Sequence, residues 1–213
     1  MFKKKILFFF LYCTQLTLSL SVAMECFKED IKNACEILRG GGVILYPTDT
    51  IWGIGCDATN ENAVRRVYDL KKRTDHKAML VLIDTVAKLD RYISEVPDIA
   101  WDLIELADKP LTIIYPGGKN LAANLLGEDG SIGIRVTKEL FSQKLCEYFR
   151  NPLVSTSANI SGQPSPLFFS DISDEVKNGV DYIVKYRQQE NIKHAPSGII
   201  YVGIDNTIQV IRK

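Results

Sequence analysis

The sequence predicts an α/β domain: a twisted sheet of mixed parallel and antiparallel strands with flanking helices. Three observations carry this expectation. From Met24 onward, short apolar runs alternate with amphipathic stretches of helical period. The last three apolar runs follow one another without long helices between them, and parallel neighbours would need crossovers, so part of the sheet is antiparallel. The 213 residues are 46% apolar and 24% charged, an ordinary globular composition. A chain of this length buries a core without help from metal or disulfide.

Phe27, Ile31, Cys35 and Leu38 recur every three or four residues and mark the first helix. Acids lie early in it, and Arg39 followed by Gly40-Gly41-Gly42 ends it. Residues 43–46 read as a buried strand. Asn60 can cap a second helix with Ala63, Val64, Val67 and Leu70 on its inner face. Residues 79–83 form another buried strand. Helices follow after Asp84 and after Pro97, because proline suits a first helical turn. Residues 111–115 and 132–136 read as strands. Thr137 opens a helix that turns Leu140, Phe141, Leu145 and Phe149 inward. Residues 153–155, 182–184, 199–202 and 208–211 supply the remaining strands. Residues 161–173 form a loop rich in Ser, Pro and Gly inside the domain.

The chain divides into an extension, residues 1–23, and one domain, residues 24–213. The extension has Lys3, Lys4 and Lys5, an apolar run over residues 6–12 and small residues at Ser21-Val22-Ala23. That is the layout of a secretory signal, and the run is too short for a membrane-spanning helix. The alternative is that Met24 is the true start and the extension is mis-assigned. Basic and acidic residues number 26 each, so no global positive field draws nucleic acid or membrane. Without the three early lysines, 23 basic residues face 26 acidic ones, a net charge of −3. Five cysteines, an odd number with no C-x-x-C spacing, argue for free buried thiols rather than a zinc site or disulfide framework.

Four clusters at strand ends and in loops carry chemistry. Tyr46-Pro47-Thr48-Asp49-Thr50-Ile51-Trp52-Gly53-Ile54-Gly55 is a polar turn or a ligand loop with two hydroxyls, a carboxylate and two glycines. Its G-x-G-x-x-A pattern, Gly53 to Ala58, is a decoy. A dinucleotide fingerprint leaves a strand directly and opens a helix, whereas here a polar loop precedes it and the helix begins near Asn60. Lys71, Lys72, Arg73 and Lys77 end a helix, where the dipole favours cations, and also suit a polyphosphate. Arg135, within Ser131-Ile132-Gly133-Ile134-Arg135, lies on an apolar strand and must meet a buried acid or a bound anion. Ser155-Thr156-Ser157-Ala158-Asn159-Ile160-Ser161-Gly162-Gln163-Pro164-Ser165 is either a Ser/Asn-rich turn or a set of donors for phosphate or ribose. No P-loop and no G-x-S-x-G elbow is present, and only His76 and His194 could serve as a histidine base. Such a site binds and orients charged reactants, which is most of what phosphoryl and nucleotidyl transfer require.

These clusters, in this order, closely resemble the YrdC-like family of threonylcarbamoyl-AMP synthases, in its short form. The likeness rests on Tyr46-Pro47-Thr48-Asp49-Thr50 with Gly53 and Gly55, on Lys71-x-Arg73, on Gly133-x-Arg135, and on Ser157-Ala158-Asn159-x-Ser161-Gly162-x-Pro164-Ser165. It implies a YrdC-like mixed sheet around a positive cleft. The implied enzyme is a nucleotidyltransferase that joins L-threonine, bicarbonate or carbon dioxide, and ATP into threonylcarbamoyl-AMP and pyrophosphate, for threonylcarbamoyl-adenosine in tRNA. The resemblance puts Thr50, Arg135, Ser155 and Ser197 around threonine. It puts Arg73, Lys77, Ser131, Ser157, Asn159 and Ser165 around ATP, with Lys71 and Arg73 offsetting charge as pyrophosphate leaves. Magnesium would ride on ATP, with no metal held by the protein itself. A tRNA-threonylcarbamoyl transferase complex would be the downstream partner, tRNA contact weak, membrane contact absent and the location cytoplasmic. That setting favours Met24 as the start. Thr74 and Ala78 stand where the family often has proline, and Ser197-Gly198 where it often has Ser-Thr. The alternative is a non-catalytic RNA-binding module on the same fold.

Overall fold

The computed structural model describes residues 24–73 and 79–213. Helix α1, residues 24–39, ends at a turn in which Gly41 has φ +76°. Strand β1 (Ile44–Tyr46) then returns through residues 47–52 into β2 (Gly53–Gly55). Helix α2 (Glu61–Leu70) is capped by Asn60, whose side chain accepts from the N–H groups of Asn62 and Ala63. Strand β3 (Leu80–Ile83), a short helix α3 (Leu89–Tyr92) and α4 (Asp98–Leu106) follow. Pro97 is the N-cap of α4 rather than a residue of its first turn. Strands β4 (Leu111–Tyr115) and β5 (Ile132–Val136) lead to α5 (Leu140–Phe149). Strand β6 (Leu153–Ser157), α6 (Asp174–Asn178), β7 (Tyr182–Ile183), β8 (Gly198–Val202) and β9 (Ile208–Arg212) complete the chain.

The strands form one mixed sheet in the order β7-β1-β2-β6-β3-β5-β4-β8-β9. Parallel pairs are β1–β7, β3–β5 and β4–β8; the other neighbours are antiparallel. The expected antiparallel end of the chain is the β8–β9 hairpin, whereas β7 lies at the opposite edge beside β1.

Three elements differ from the sequence reading. Gly53-Ile54-Gly55 is not loop but a buried strand between β1 and β6. A Cβ at Gly55 would stand 2.6 Å from both Tyr46 Cε1 and the Val154 carbonyl oxygen, so only glycine lets the three strands lie together. Thr137 does not open α5. Its hydroxyl bonds Ser142 Oγ at 2.7 Å, while Glu139 caps the helix by accepting from the N–H groups of Phe141 and Ser142. Helix α6 follows the Ser/Pro loop, capped by Ser173.

Strand alternation divides the sheet into two faces. Val81, Ile83, Ile113, Ile132, Ile134 and Val154 point into the larger core with α2 and α4. On the other face Ile44, Tyr46, Leu82 and Leu153 pack under α1 and α5. Those two helices cover only part of it. Farther along the strands the same rows carry Thr112, Gly133, Arg135 and Ser155, which line an open concavity. The polar residues of the strands are thus an uncovered stretch of the second face. Cys35, Cys56 and Cys146 are buried and free. Among the described residues no helix is long and apolar enough to cross a membrane.

Candidate active site

The concavity is a cavity of about 480 Å³. Its floor is sheet: Leu80 from β3, Gly133 and Arg135 from β5, Ser155 and Ser157 from β6, Thr112 and Ile114 from β4. One wall is the β1–β2 connection with Thr48 and Thr50, the opposite one Ser197, Ile199 and Arg212. Arg73, Ser131 and Ser165 stand around the remaining rim. Thr50, Arg73, Ser131, Arg135, Ser155, Ser157, Ser165 and Ser197, singled out in the sequence, therefore open onto one space. Lys77 and His76 lie outside the described residues.

Arg135 is 3% exposed, and of the two partners its place on an apolar strand allows, an acid or a bound anion, the fold supplies a largely buried acid. Its Nη2 lies 2.9 Å from Asp49 Oδ1, an ion pair without a well-aligned hydrogen bond, and 3.4 Å from Thr50 Oγ1. Burial raises the Asp49 carboxyl, with Arg135 pulling it back; burial likewise lowers the guanidinium, with Asp49 opposing. Neither group is fully satisfied. Asp49 Oδ1 and Arg135 Nε are buried without hydrogen-bond partners, as is Asn159 Oδ1. Buried polar atoms left unpaired cost about 1–3 kcal/mol each, and of these residues Arg135 lines the cavity itself.

Thr48 shapes its wall by local chemistry. Its hydroxyl bonds Thr50 Oγ1 at 3.0 Å and the Ile51 carbonyl at 2.8 Å, and accepts from the Thr50 N–H at 3.1 Å. Arg187 braces this turn from behind. Its Nη1 donates to the Thr48 carbonyl at 3.0 Å, its Nε to Glu190 at 2.9 Å, and it pairs with Glu139 at 3.4 Å. Across the cavity, Ser197 Oγ shares a 2.9 Å bond with Thr112 Oγ1, and Arg212 Nε donates to the Ser197 carbonyl at 3.0 Å. Arg212 was not singled out in the sequence. Only the pairing of β8 with both β4 and β9 brings it to this wall.

Helix α2 ends in a left-handed turn. Lys72 has φ +49°, its N–H bonds the Asp69 carbonyl, and the Arg73 N–H bonds Tyr68 at 3.0 Å. The turn sends successive cations in different directions. Arg73 reaches the cavity, but Lys71, expected beside a triphosphate, does not line it. Lys71 is 3% exposed, and its ammonium donates at 2.6 Å to the carbonyls of Ser157 and Asn159. Its own carbonyl accepts from the Ser161 N–H at 2.9 Å. Burial, then the neighbouring Arg73 charge, lowers its pKa to about 8. Asn159 also faces its own loop, with Nδ2 donating to the Ile160 and Gln163 carbonyls. Lys71 and Asn159 thus fix the end of β6 at Ser157 and the loop that leads on to Ser165.

Among the described residues that line the cavity, the polar side chains are cationic or hydroxyl-bearing and none is a carboxylate. Among the described residues no group of three or more His, Cys, Asp or Glu could hold a metal ion. Arginine forks over a hydroxyl-lined floor are suited to two anions at once, a carboxylate and a phosphate chain.

Comparison with known proteins gives a consistent result. The Sua5/YciO/YrdC family, described as telomere recombination, matches residues 36–213. A threonylcarbamoyl-AMP synthase of Pseudoalteromonas translucida is 33% identical over 184 residues, covering 83% of this chain and 98% of that protein. The crystal structure of E. coli YciO superposes with TM-score 0.74 at 28% identity, over 86% of this chain and 88% of that one. P. abyssi Sua5 complexed with L-threonine superposes with TM-score 0.72 at 25% identity, over 81% of this chain. This chain spans half the length of that Sua5.

Proposed function

The chain belongs to the Sua5/YciO/YrdC family, and from that premise we propose that it is an L-threonylcarbamoyladenylate synthase. It joins L-threonine, bicarbonate or carbon dioxide, and ATP into threonylcarbamoyl-AMP and pyrophosphate. The observation that carries this reading is the shared cavity: Arg135 and Arg73 open onto one space lined with hydroxyls.

Arg135 takes the threonine carboxylate. Its Nε proton is buried without an acceptor, and a carboxylate beside it satisfies that donor. Thr50, Ser155 and Ser197 orient the rest of the amino acid. Arg73 and Arg212 face the triphosphate, with Ser131, Ser157 and Ser165 on its oxygens. Lys71 and Asn159 act through the loop they hold.

The threonine amine adds to the one-carbon unit to give a carbamate, releasing a proton to solvent when that unit is carbon dioxide, and the carbamate oxygen attacks the α-phosphorus. The bond to the β-phosphate bridging oxygen breaks and pyrophosphate leaves with the electron pair. With bicarbonate as the carbon source one water is also released. A carbamate decomposes in bulk water, so holding both reactants in one cavity supplies the main catalytic advantage. The fixed cations stabilise charge that develops on the leaving phosphates. The product then passes to a tRNA-threonylcarbamoyl transferase complex, which places the work in the cytoplasm.

The test is pyrophosphate release by the purified chain with ATP, L-threonine and bicarbonate. The expected signal needs all three and vanishes when any one is omitted. Release without threonine overturns the reading, and salt-sensitive RNA binding with no release at all returns the chain to the non-catalytic alternative.

A further inference from the structure

A second concavity, of about 680 Å³, lies away from the catalytic cavity, between α1 and α5. Helical spacing builds both walls. Phe27, Ile31 and Cys35 come from successive turns of α1, and Leu140 and Tyr148 from two turns of α5. Tyr186 closes the floor, packed against Phe27 at 5.1 Å and Phe141 at 5.5 Å between ring centroids. Met24, Leu140 and Tyr148 are each more than half exposed, though they border a packed aromatic cluster. An apolar trough left open in this way marks a binding surface.

Charge decides what fits it. Lys28, Lys32, Arg39 and Lys144 rim the groove; Glu36 pairs with Lys32 at 3.9 Å and Glu147 with Lys144 at 2.6 Å, which leaves these six side chains with a net charge of +2. The domain from Met24 onward carries −3, so the rim runs against the sign of the whole. A second copy of the chain would set one cationic rim against another. A flat bilayer could not follow the concave floor. We propose that the groove is a docking site for an amphipathic helix of a partner protein, with apolar residues on one face and Asp or Glu flanking them. The α1 wall runs over residues 24–39, about 22 Å at the helical rise, which matches a partner helix of roughly 15 residues. The groove is linked to the cavity wall through chain neighbours: Tyr186 precedes Arg187, which bonds the Thr48 carbonyl, and Leu140 follows Glu139, which pairs with Arg187.

The test uses the full chain and three fluorescein-labelled 15-residue peptides, read by anisotropy. The first has leucine at helical i, i+3/i+4 and i+7 spacing with glutamate elsewhere. The second replaces glutamate by lysine, and the third replaces leucine by serine. The expected result is binding of the first alone, at least tenfold tighter than either control and weakened by salt. Tyr148→Glu and Lys28→Glu should each weaken it at least tenfold while pyrophosphate release stays within twofold of the parent, which also shows that the variants fold. Any of four results overturns the proposal: no binding of the glutamate peptide to the full chain, equal binding of the glutamate and lysine peptides, binding unchanged in both variants, or self-association or anionic-vesicle binding of the parent that the same variants abolish.

Discussion

Replacing Lys71 by Met separates two roles for a buried cation. Its ammonium donates to the Ser157 and Asn159 carbonyls at 2.6 Å and is almost wholly removed from solvent. Losing the donor leaves two buried carbonyls unpaired, at about 1–3 kcal/mol each. Against that, burial has lowered the amine from 10.5 to about 8, which corresponds to roughly 3 kcal/mol of penalty on the charged form that methionine removes. The effects nearly cancel, so net stability in urea unfolding at pH 7 should fall by no more than about 3 kcal/mol. Activity has no such compensation. The loop loses its anchor, Ser157 shifts in the cavity, and kcat/KM in the pyrophosphate assay should fall roughly 10- to 100-fold. The pH dependence supplies a second signature. The native state binds fewer protons than the unfolded state between pH 8 and 10.5, so this group makes the parent more stable as pH rises through that window. Its activity should fall about pH 8, where the native ammonium is lost. Lys71→Met should show neither trend. Unchanged kcat/KM in the variant, or an alkaline stability rise that survives the substitution, would refute the loop-anchor reasoning.

Three further perturbations test other parts of the structure. Asp49→Asn leaves Arg135 buried without its counter-charge and should destabilise the fold by about 3–5 kcal/mol in urea unfolding, whereas the Asp49→Asn, Arg135→Met double variant should recover part of that loss. Gly55→Ala drives a methyl group into Tyr46 and the Val154 carbonyl and should lower stability by about 1–3 kcal/mol, seen as a fall in Tm. Arg212→Ala, which removes the bond to the Ser197 carbonyl, should lower stability by about 0.5–1.5 kcal/mol and raise the KM for ATP about tenfold or more, with the circular dichroism spectrum unchanged.

The sheet was largely legible because its buried strands are apolar runs and its helices have helical period. Arg135 stood out for the same reason, as a charge breaking an apolar alternation. Its partner Asp49 sits 86 positions earlier in the chain, and only the sheet order places the two side by side. Strand β2 carries no apolar run. It is a strand because β1 and β6 hydrogen-bond it from both sides, a tertiary effect that local propensity does not record. The inward course of Lys71 depends on a left-handed Lys72, and a lysine there gives no sign of the turn that a glycine would. The clustering of Thr50, Arg73, Arg135, Ser155 and Ser197 about one cavity could be expected only through the family resemblance, since spacing alone left Arg135 to either an acid or an anion.

Side-by-side occupancy of the cavity can be measured directly. Transferred interligand nuclear Overhauser effects between L-threonine and a non-hydrolysable ATP analogue should connect the threonine methyl or β-proton with ribose or adenine protons when both bind this protein. They should disappear in Arg135→Ala or Arg73→Ala. Saturation of the protein by both ligands with no cross-peak between them would contradict the shared site.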